Sequence, residues 1–226
     1  MVEHKIKRSL SLASYVAMVS LAILIFILGS LFGNWIAGLG FKEVQREQLG
    51  FSTSLIGLEL REDLLEGEDI CSISVKDILE EKTELGVRLE ALEKRLGKEN
   101  KEVLLQKEIY SLISLRTLLL FEEAKEKCNL DDTILLFFYT NRKDDPAGSI
   151  GQSEDQGYLL TAFSDRHEDE NYTIFAFDYN VDNPAIDTLK VKYSVSAVPS
   201  IVYGGKTYLG YQSAGALEGI RESNLN

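Results

Sequence analysis

The chain has 226 residues, 45% of them apolar, which is enough for one packed domain with attached segments. Its formal net charge is −12, and the chain beyond the first 40 residues is strongly acidic. Because an acidic surface repels phosphate backbones and no basic stripe is present, nucleic acid is not expected as a partner. The sequence shows no metal-ligand cluster and no phosphate-binding glycine motif, so neither a metal nor another cofactor is predicted.

The first predicted element is a transmembrane helix. No charged residue lies between Arg8 and Lys42, and the centre of this stretch, residues 15–32, is almost entirely apolar. About 20 such residues are needed to cross a bilayer. Residues 13–36 are therefore predicted to cross the lipid bilayer once, with Trp35 as an aromatic anchor at the far interface.

The flanking charges predict the orientation of this span. Lys5, Lys7 and Arg8 precede it, and by the positive-inside rule they place the N-terminus in the cytoplasm and residues 41–226 outside it. The alternative is a cleaved signal peptide, with the small residues at 37–40 as the cleavage site. The apolar run is longer than the core of a signal peptide, which favours a retained signal anchor at the cell membrane over residues 1–40.

The middle of the chain, residues 41–128, is predicted to be a helical stalk or hairpin. From Val75 onward, four leucines with 4-3-4 spacing place one apolar stripe along a helix, and Gly97–Asn100 ends that helix. A second helix then runs to about Lys127. The two helices can pack as an antiparallel coiled coil in which each buries its stripe against the other. The stripe residues are Leu85, Leu89, Leu92 and Leu96 in the first helix, and Leu105, Ile109, Leu112, Leu115 or Arg116, and Leu119 in the second.

The two cysteines lie at the open end of this hairpin. Cys71 precedes the first helix, Cys128 ends the second, and the midpoint between them falls within the Gly97–Asn100 turn. In an antiparallel hairpin these ends are neighbours, so a structural disulfide Cys71–Cys128 is predicted, and the oxidising conditions outside the cytoplasm would preserve it. Two buried free thiols, or a redox-active pair, are the alternatives.

The last 95 or so residues alternate strand and helix patterns. Short apolar runs bounded by turn residues predict the strands. Ser153 and Gln156 have the form of a capping box, which predicts a helix that begins at Glu154. The predicted strands are 133–140, 172–178, one that follows Pro199, and 206–212; the later helices are 184–193 and 214–223.

The order of these elements resembles the thioredoxin superfamily, as do two motifs within it, Val181-Asp-Asn-Pro184 and Ala197-Val-Pro199. The resemblance implies an α/β fold, with a thioredoxin-like domain over residues 130–226 behind the membrane anchor and the helical hairpin. Family members carry Cys-x-x-Cys after the first strand, but this chain has no cysteine after Cys128. The domain therefore lacks the thiolate that thiol–disulfide exchange requires.

Other residues stand where the family has its two cysteines. One alignment places Ser153 and Gln156 there, and another places Ile150 and Ser153 there. A serine nucleophile needs a base, and His167, the only histidine outside the N-terminus, is expected at the opposite end of the same helix. No catalytic residue is predicted.

The resemblance also implies a peptide-binding edge. Pro199 matches the cis-proline of the family, which would leave the N–H and C=O of Val198 to pair with an extended peptide, together with Ser153 in the 141–157 loop. A trans proline at the start of an edge strand is the alternative.

The leading hypothesis is a membrane-anchored, redox-inactive module that binds a peptide or protein partner outside the cytoplasm. One alternative is an atypical thiol–disulfide oxidoreductase that uses Cys71 and Cys128. Another is an assembly protein whose helical hairpin makes the functional contacts.

Overall fold

The computed structural model describes residues 12–65, 71 and 75–225 of the chain. Within these ranges the chain forms six α-helices and one four-stranded sheet, a mixed α/β fold as predicted. It divides into two compact units, Met1–Gln48 and Leu49–Asn226.

Helix α1, Leu12–Leu65, contains the predicted membrane span. Its Ser14–Gly33 segment is apolar and exposed, and it is the one candidate span in the described part of the chain. At 1.5 Å per residue, its 20 residues reach about 30 Å, the thickness of a bilayer's hydrocarbon core. The side chain of Trp35 and the basic residues at positions 5, 7 and 8 lie outside the described residues. The helix runs past residue 40, the predicted end of the anchor, to Leu65.

Helices α2, Val75–Leu96, and α3, Lys101–Cys128, form the predicted hairpin. Gly97, with a φ of 91°, ends α2 in a conformation that costs other residues a steric penalty. Asn100 then caps α3, because its side chain accepts a hydrogen bond from the backbone N–H of Glu102 at 2.9 Å. Across the closed end of the hairpin, the Lys107 ammonium of α3 lies 2.8 Å from the Glu93 carboxylate of α2.

The apolar stripe of α2 is confirmed, whereas the one assigned to α3 is wrong. Leu85, Leu89 and Leu92 are buried. In α3, however, Leu105 and Leu119 are exposed, and the buried set includes polar side chains. The reason is that α3 packs on α2 and on the sheet at once, so burial does not follow a single stripe. The buried residues of α3 are Val103, Gln106, Lys107, Ser111, Ile113, Ser114, Thr117, Leu118, Leu120, Phe121 and Ala124.

The predicted disulfide is present. Cys71 and Cys128 are bonded, with their Cα atoms 5.5 Å apart, and no cysteine of the chain is free.

The sheet has the strand order β2-β1-β3-β4. Strands β1 and β2 are parallel, with Leu136 opposite Phe175, and β3 is antiparallel to both β1 and β4. Apolar runs predict β1 and β2, whereas β3 and β4 lie in the segments after Pro199 and at 206–212 that the order of elements assigns, and β4 ends earlier than expected. Their bounds are Thr133–Tyr139 for β1, Tyr172–Asp178 for β2, Ser200–Tyr203 for β3 and Lys206–Leu209 for β4.

Helices cover both faces of the sheet, so alternate residues of each strand enter different cores. One core joins Phe138 and Phe177 to α3 and to helix α5, Pro184–Lys192. The other joins Phe137 to helices α4, Ile150–Arg166, and α6, Ala214–Leu225. A short 3-10 helix, Glu168–Glu170, leads into β2.

Candidate functional site

By the rules of α/β sheets, a ligand binds beyond the carboxyl ends of β1 and β2. The connection after β1 leads to α4 on one face of the sheet, and the connection after β2 leads to α5 on the other face. Where neighbouring parallel strands send their connections to opposite faces, a crevice opens beyond the strand ends.

A cleft of about 580 Å³ occupies this position. Its walls come from the α2–α3 turn, from α3 and from the two loops that follow β1 and β2. Positive and negative side chains both line it, so it suits a polar ligand that carries both kinds of charge. The lining residues are Lys98, Glu99, Leu104, Lys107, Asn141, Arg142, Asp178, Asn180 and Asp182.

A buried ion cluster lies at the base of the cleft. Lys107 is only 2% exposed, and its ammonium lies 2.8 Å from a Glu93 carboxylate oxygen and 3.3 Å from one of Asp178. Burial raises the pKa of the neighbouring Tyr139 well above its ordinary value, and the charges of Asp178 and Glu93 raise it further. Tyr139 therefore stays neutral, and Lys107 is held by two carboxylates instead of being free to act as a nucleophile.

Polar contacts at the rim tie the hairpin to the loops. The ammonium of Lys98 donates to Asn141 and to Glu154, each at 3.0 Å. Asn180 accepts a hydrogen bond from the Thr140 hydroxyl at 2.7 Å and donates to Asp145 at 2.8 Å. The hairpin turn is thus attached to α4, and the two strand-end loops are attached to each other.

The predicted peptide-binding edge is not part of the lining of this cleft, and it is covered. The Val198–Pro199 peptide bond is cis, and Val198 is 3% exposed. Its backbone N–H donates to the carbonyl of Ala147 at 2.9 Å, and residues 148 and 198 form an isolated parallel β-bridge. The chain's own loop therefore occupies the backbone group that sequence reasoning offers to a partner.

Ser153 does not cap α4, contrary to the capping box that the sequence predicts. Helix α4 begins at Ile150, with Ser149 at the N-cap, so a start at Glu154 is wrong. Ser153 is 3% exposed, and its hydroxyl oxygen accepts the backbone N–H of Thr140 at 3.1 Å. This hydrogen bond satisfies the backbone just beyond β1 and draws Ser153 inside, where it cannot cap the helix or meet a ligand directly.

Gln156, the other half of the predicted capping box, is fully buried, and its side-chain oxygen accepts the backbone N–H of Gln212 at 2.6 Å. His167 lies at the far end of α4, where its Nε2 is 3.1 Å from a Glu218 oxygen. The structure thus places His167 at the opposite end of α4 from Ser153, as expected.

Sequence reasoning missed the charged residues that shape the cleft. Asp178, the last residue of an otherwise apolar strand, was a usable signal, since parallel strand ends are where polar groups converge. No such signal marked Lys107, because a lysine within a charged helix ordinarily points to solvent.

Within the residues that the structure describes, no group of three histidine, cysteine or acidic side chains could hold a metal ion. Comparison with protein-family models and with curated proteins finds no match for this chain.

Proposed function

We propose that this chain is a membrane-anchored, redox-inactive thioredoxin-like module that binds a peptide or protein partner on the extracytoplasmic side. The sheet order, with β1 and β2 parallel, β3 antiparallel to them and helices on both faces, agrees with the element order that carried the resemblance.

The observation that carries the proposal is the cleft at the carboxyl ends of β1 and β2. It is large enough for several side chains of a partner, and it is lined by charges of both signs. Its most buried charge, Lys107, is already paired, and the chain's only two cysteines are bonded to each other. Such a surface has the means to recognise a polar segment of a partner.

An extracytoplasmic position is supported by the disulfide, since such bonds persist in oxidising compartments. Treatment of intact cells with a membrane-impermeant maleimide tests this position. We expect no label before reduction and two labelled cysteines after it. Cysteines that stay unlabelled after reduction, but react once the cells are lysed, would place the domain inside.

The partner site is tested by photo-cross-linking in the native membrane. A benzoyl-phenylalanine is placed at Arg142 or at Asp182, both exposed at the cleft, in the full-length chain. Val191, 79% exposed on α5 and outside the cleft, is the matched control. We expect a discrete cross-linked species from positions 142 and 182 and none from 191. The same species at equal yield from all three positions, or from 191 alone, would contradict a cleft-centred site.

A second candidate function is thiol–disulfide exchange, because Cys71 is exposed. In that reaction a substrate dithiol would be oxidised to a disulfide while the Cys71–Cys128 bond is reduced to two thiols. Oxidation of a reduced model peptide that is abolished by Cys128→Ser would favour it. Ready maleimide labelling of unreduced cells would favour it too.

A further inference from the structure

The segment Asp145–Gly148, here called the strap, lies on the backbone of Val198. The Ala147 carbonyl accepts the Val198 N–H at 2.9 Å, and Gly148 is bridged to Val198 in parallel register. This is the pairing that an added extended chain would make, and it is made by the protein itself.

The contact depends on a glycine. A Cβ added at Gly148 would overlap the carbonyl oxygen of Val198 and lie 2.9 Å from its Cγ2 atom. Because the oxygen belongs to the backbone, it cannot turn aside as a flexible side chain would. Any other residue at position 148 therefore requires the strap and the Val198 backbone to move apart.

The strap is held at its first residue. One carboxylate oxygen of Asp145 accepts the backbone N–H of Ala147, and the other accepts the side-chain amide of Asn180, both at 2.8 Å. Burial acts to raise the pKa of Asp145, but the hydrogen bonds from Ala147 and Asn180 and the charge of Arg142 lower it below the ordinary value. The carboxylate stays ionised near neutral pH, so Asp145 keeps the two hydrogen bonds that hold the strap.

We propose that the strap is an autoinhibitory contact: it occupies the Val198 edge and must lift before an extended peptide can pair there. This inference rests on the proposed function in naming a peptide as the competitor. The closure of the edge by the strap depends only on the contacts described above.

Closure is tested by hydrogen exchange of the full-length chain in detergent, labelled with ¹⁵N-valine. Gly148→Ala should accelerate exchange of the Val198 amide by about tenfold, the effect of losing one ordinary hydrogen bond. The Val202 amide in β3 should keep its protection. Gly151→Ala is the matched control, because a Cβ there meets only the Ser149 hydroxyl oxygen, at 3.9 Å.

Asp145→Ala is the second variant, since it removes the two hydrogen bonds that hold the strap and adds no atoms at position 148. If Val202 loses protection in Gly148→Ala, that variant is misfolded and Asp145→Ala decides. Val198 exchange as slow as in the unsubstituted chain, with Val202 protected, would overturn the proposal.

The inhibitory role is tested by placing the photo-cross-linker at Ser196, an exposed neighbour of Val198. We expect a higher yield of cross-linked partner in Gly148→Ala than in Gly151→Ala. Fast Val198 exchange without that increase would refute inhibition and leave the cleft proposal standing. If no position gives a cross-linked adduct, 142 and 182 included, the proposed function and the inhibitory role are both refuted. Closure of the Val198 edge is judged by hydrogen exchange alone.

Discussion

Lys82 of α2 carries a buried positive charge whose removal should stabilise the protein. It is 8% exposed, its ammonium donates to the carbonyl of Ile174 at 3.3 Å, and it lies 4.5 Å from the centre of the Phe175 ring. Neither contact is a negative ion. Burial accordingly lowers the pKa of Lys82 from 10.5 to about 8.

This shift sets both the size and the pH range of the effect. The unfolded chain keeps the Lys82 proton up to about pH 10.5, whereas the folded chain releases it near pH 8. Folding is therefore disfavoured at every pH at which the unfolded chain holds this proton. The cost is about 3 kcal/mol below pH 8, at roughly 1.4 kcal/mol per pKa unit, and it falls to zero as the pH rises through 10.5. Lys82→Met removes this cost and keeps the unbranched stem, but it loses the bond to Ile174, worth about 1 kcal/mol. The variant should therefore be about 2 kcal/mol more stable at pH 7 and slightly less stable at pH 10.5.

Urea unfolding of the detergent-solubilised chain between pH 7 and 10.5, followed by far-ultraviolet circular dichroism, measures this difference. Other titrating groups, such as the tyrosines, affect both proteins alike and cancel in the comparison. The exposed Lys101, replaced by methionine, is the control and should show no such pH dependence. A free-energy difference between Lys82→Met and the unsubstituted chain that stays constant from pH 8 to 10 would refute the desolvation argument.

Two further substitutions test how the hairpin is held. Cys71→Ser opens a loop with a sequence separation of 57 and should lower the free energy of unfolding by about 4 kcal/mol, measured from the urea midpoint. Reduction of the disulfide in the unsubstituted chain should give the same loss. A much smaller loss would mean that the unfolded chain is already compact without the disulfide. Lys107→Met leaves the Glu93 and Asp178 carboxylates buried without their cation and should cost about 3 to 5 kcal/mol. Restoring neutrality with Glu93→Gln and Asp178→Asn in the same chain should recover much of that loss, and a triple variant no more stable than Lys107→Met would contradict the electrostatic explanation.

The elements that sequence reasoning located correctly are those whose signals are local. Strands β1 and β2 are apolar runs bounded by turn residues, and the start of α5 combines a proline at the first helical position with the Asn183 side chain, which accepts from the N–H of Ala185. The disulfide followed from the symmetry of the hairpin about its turn. In each case the chemistry of a few neighbouring residues determines the outcome.

The errors concern choices that neighbouring elements decide. Ser149 and Ser153 could each cap α4, and only the unpaired N–H of Thr140 beyond β1 determines that Ser153 is drawn inside. The burial of Lys107 likewise depends on Asp178, which lies 71 positions away in sequence. Whether the Val198 edge is open depends on a loop about fifty positions earlier, and no local pattern reports that contact.

The hairpin is a wall of the cleft, and this changes how its role can be tested. Lys107 joins α3 to α2 and to β2, and Lys98 joins the hairpin turn to α4. Deletion of residues 72–127 would remove these contacts and expose the core that Phe121 shares with the sheet, so a loss of binding would not distinguish a direct contact from a collapsed domain. Lys98→Ala avoids this ambiguity, because its partners Asn141 and Glu154 remain hydrated at the rim when the ammonium is removed. If the partner occupies the cleft, this variant should reduce cross-linking from position 142 while the urea midpoint changes little, since exposed ion pairs contribute at most about 1 kcal/mol.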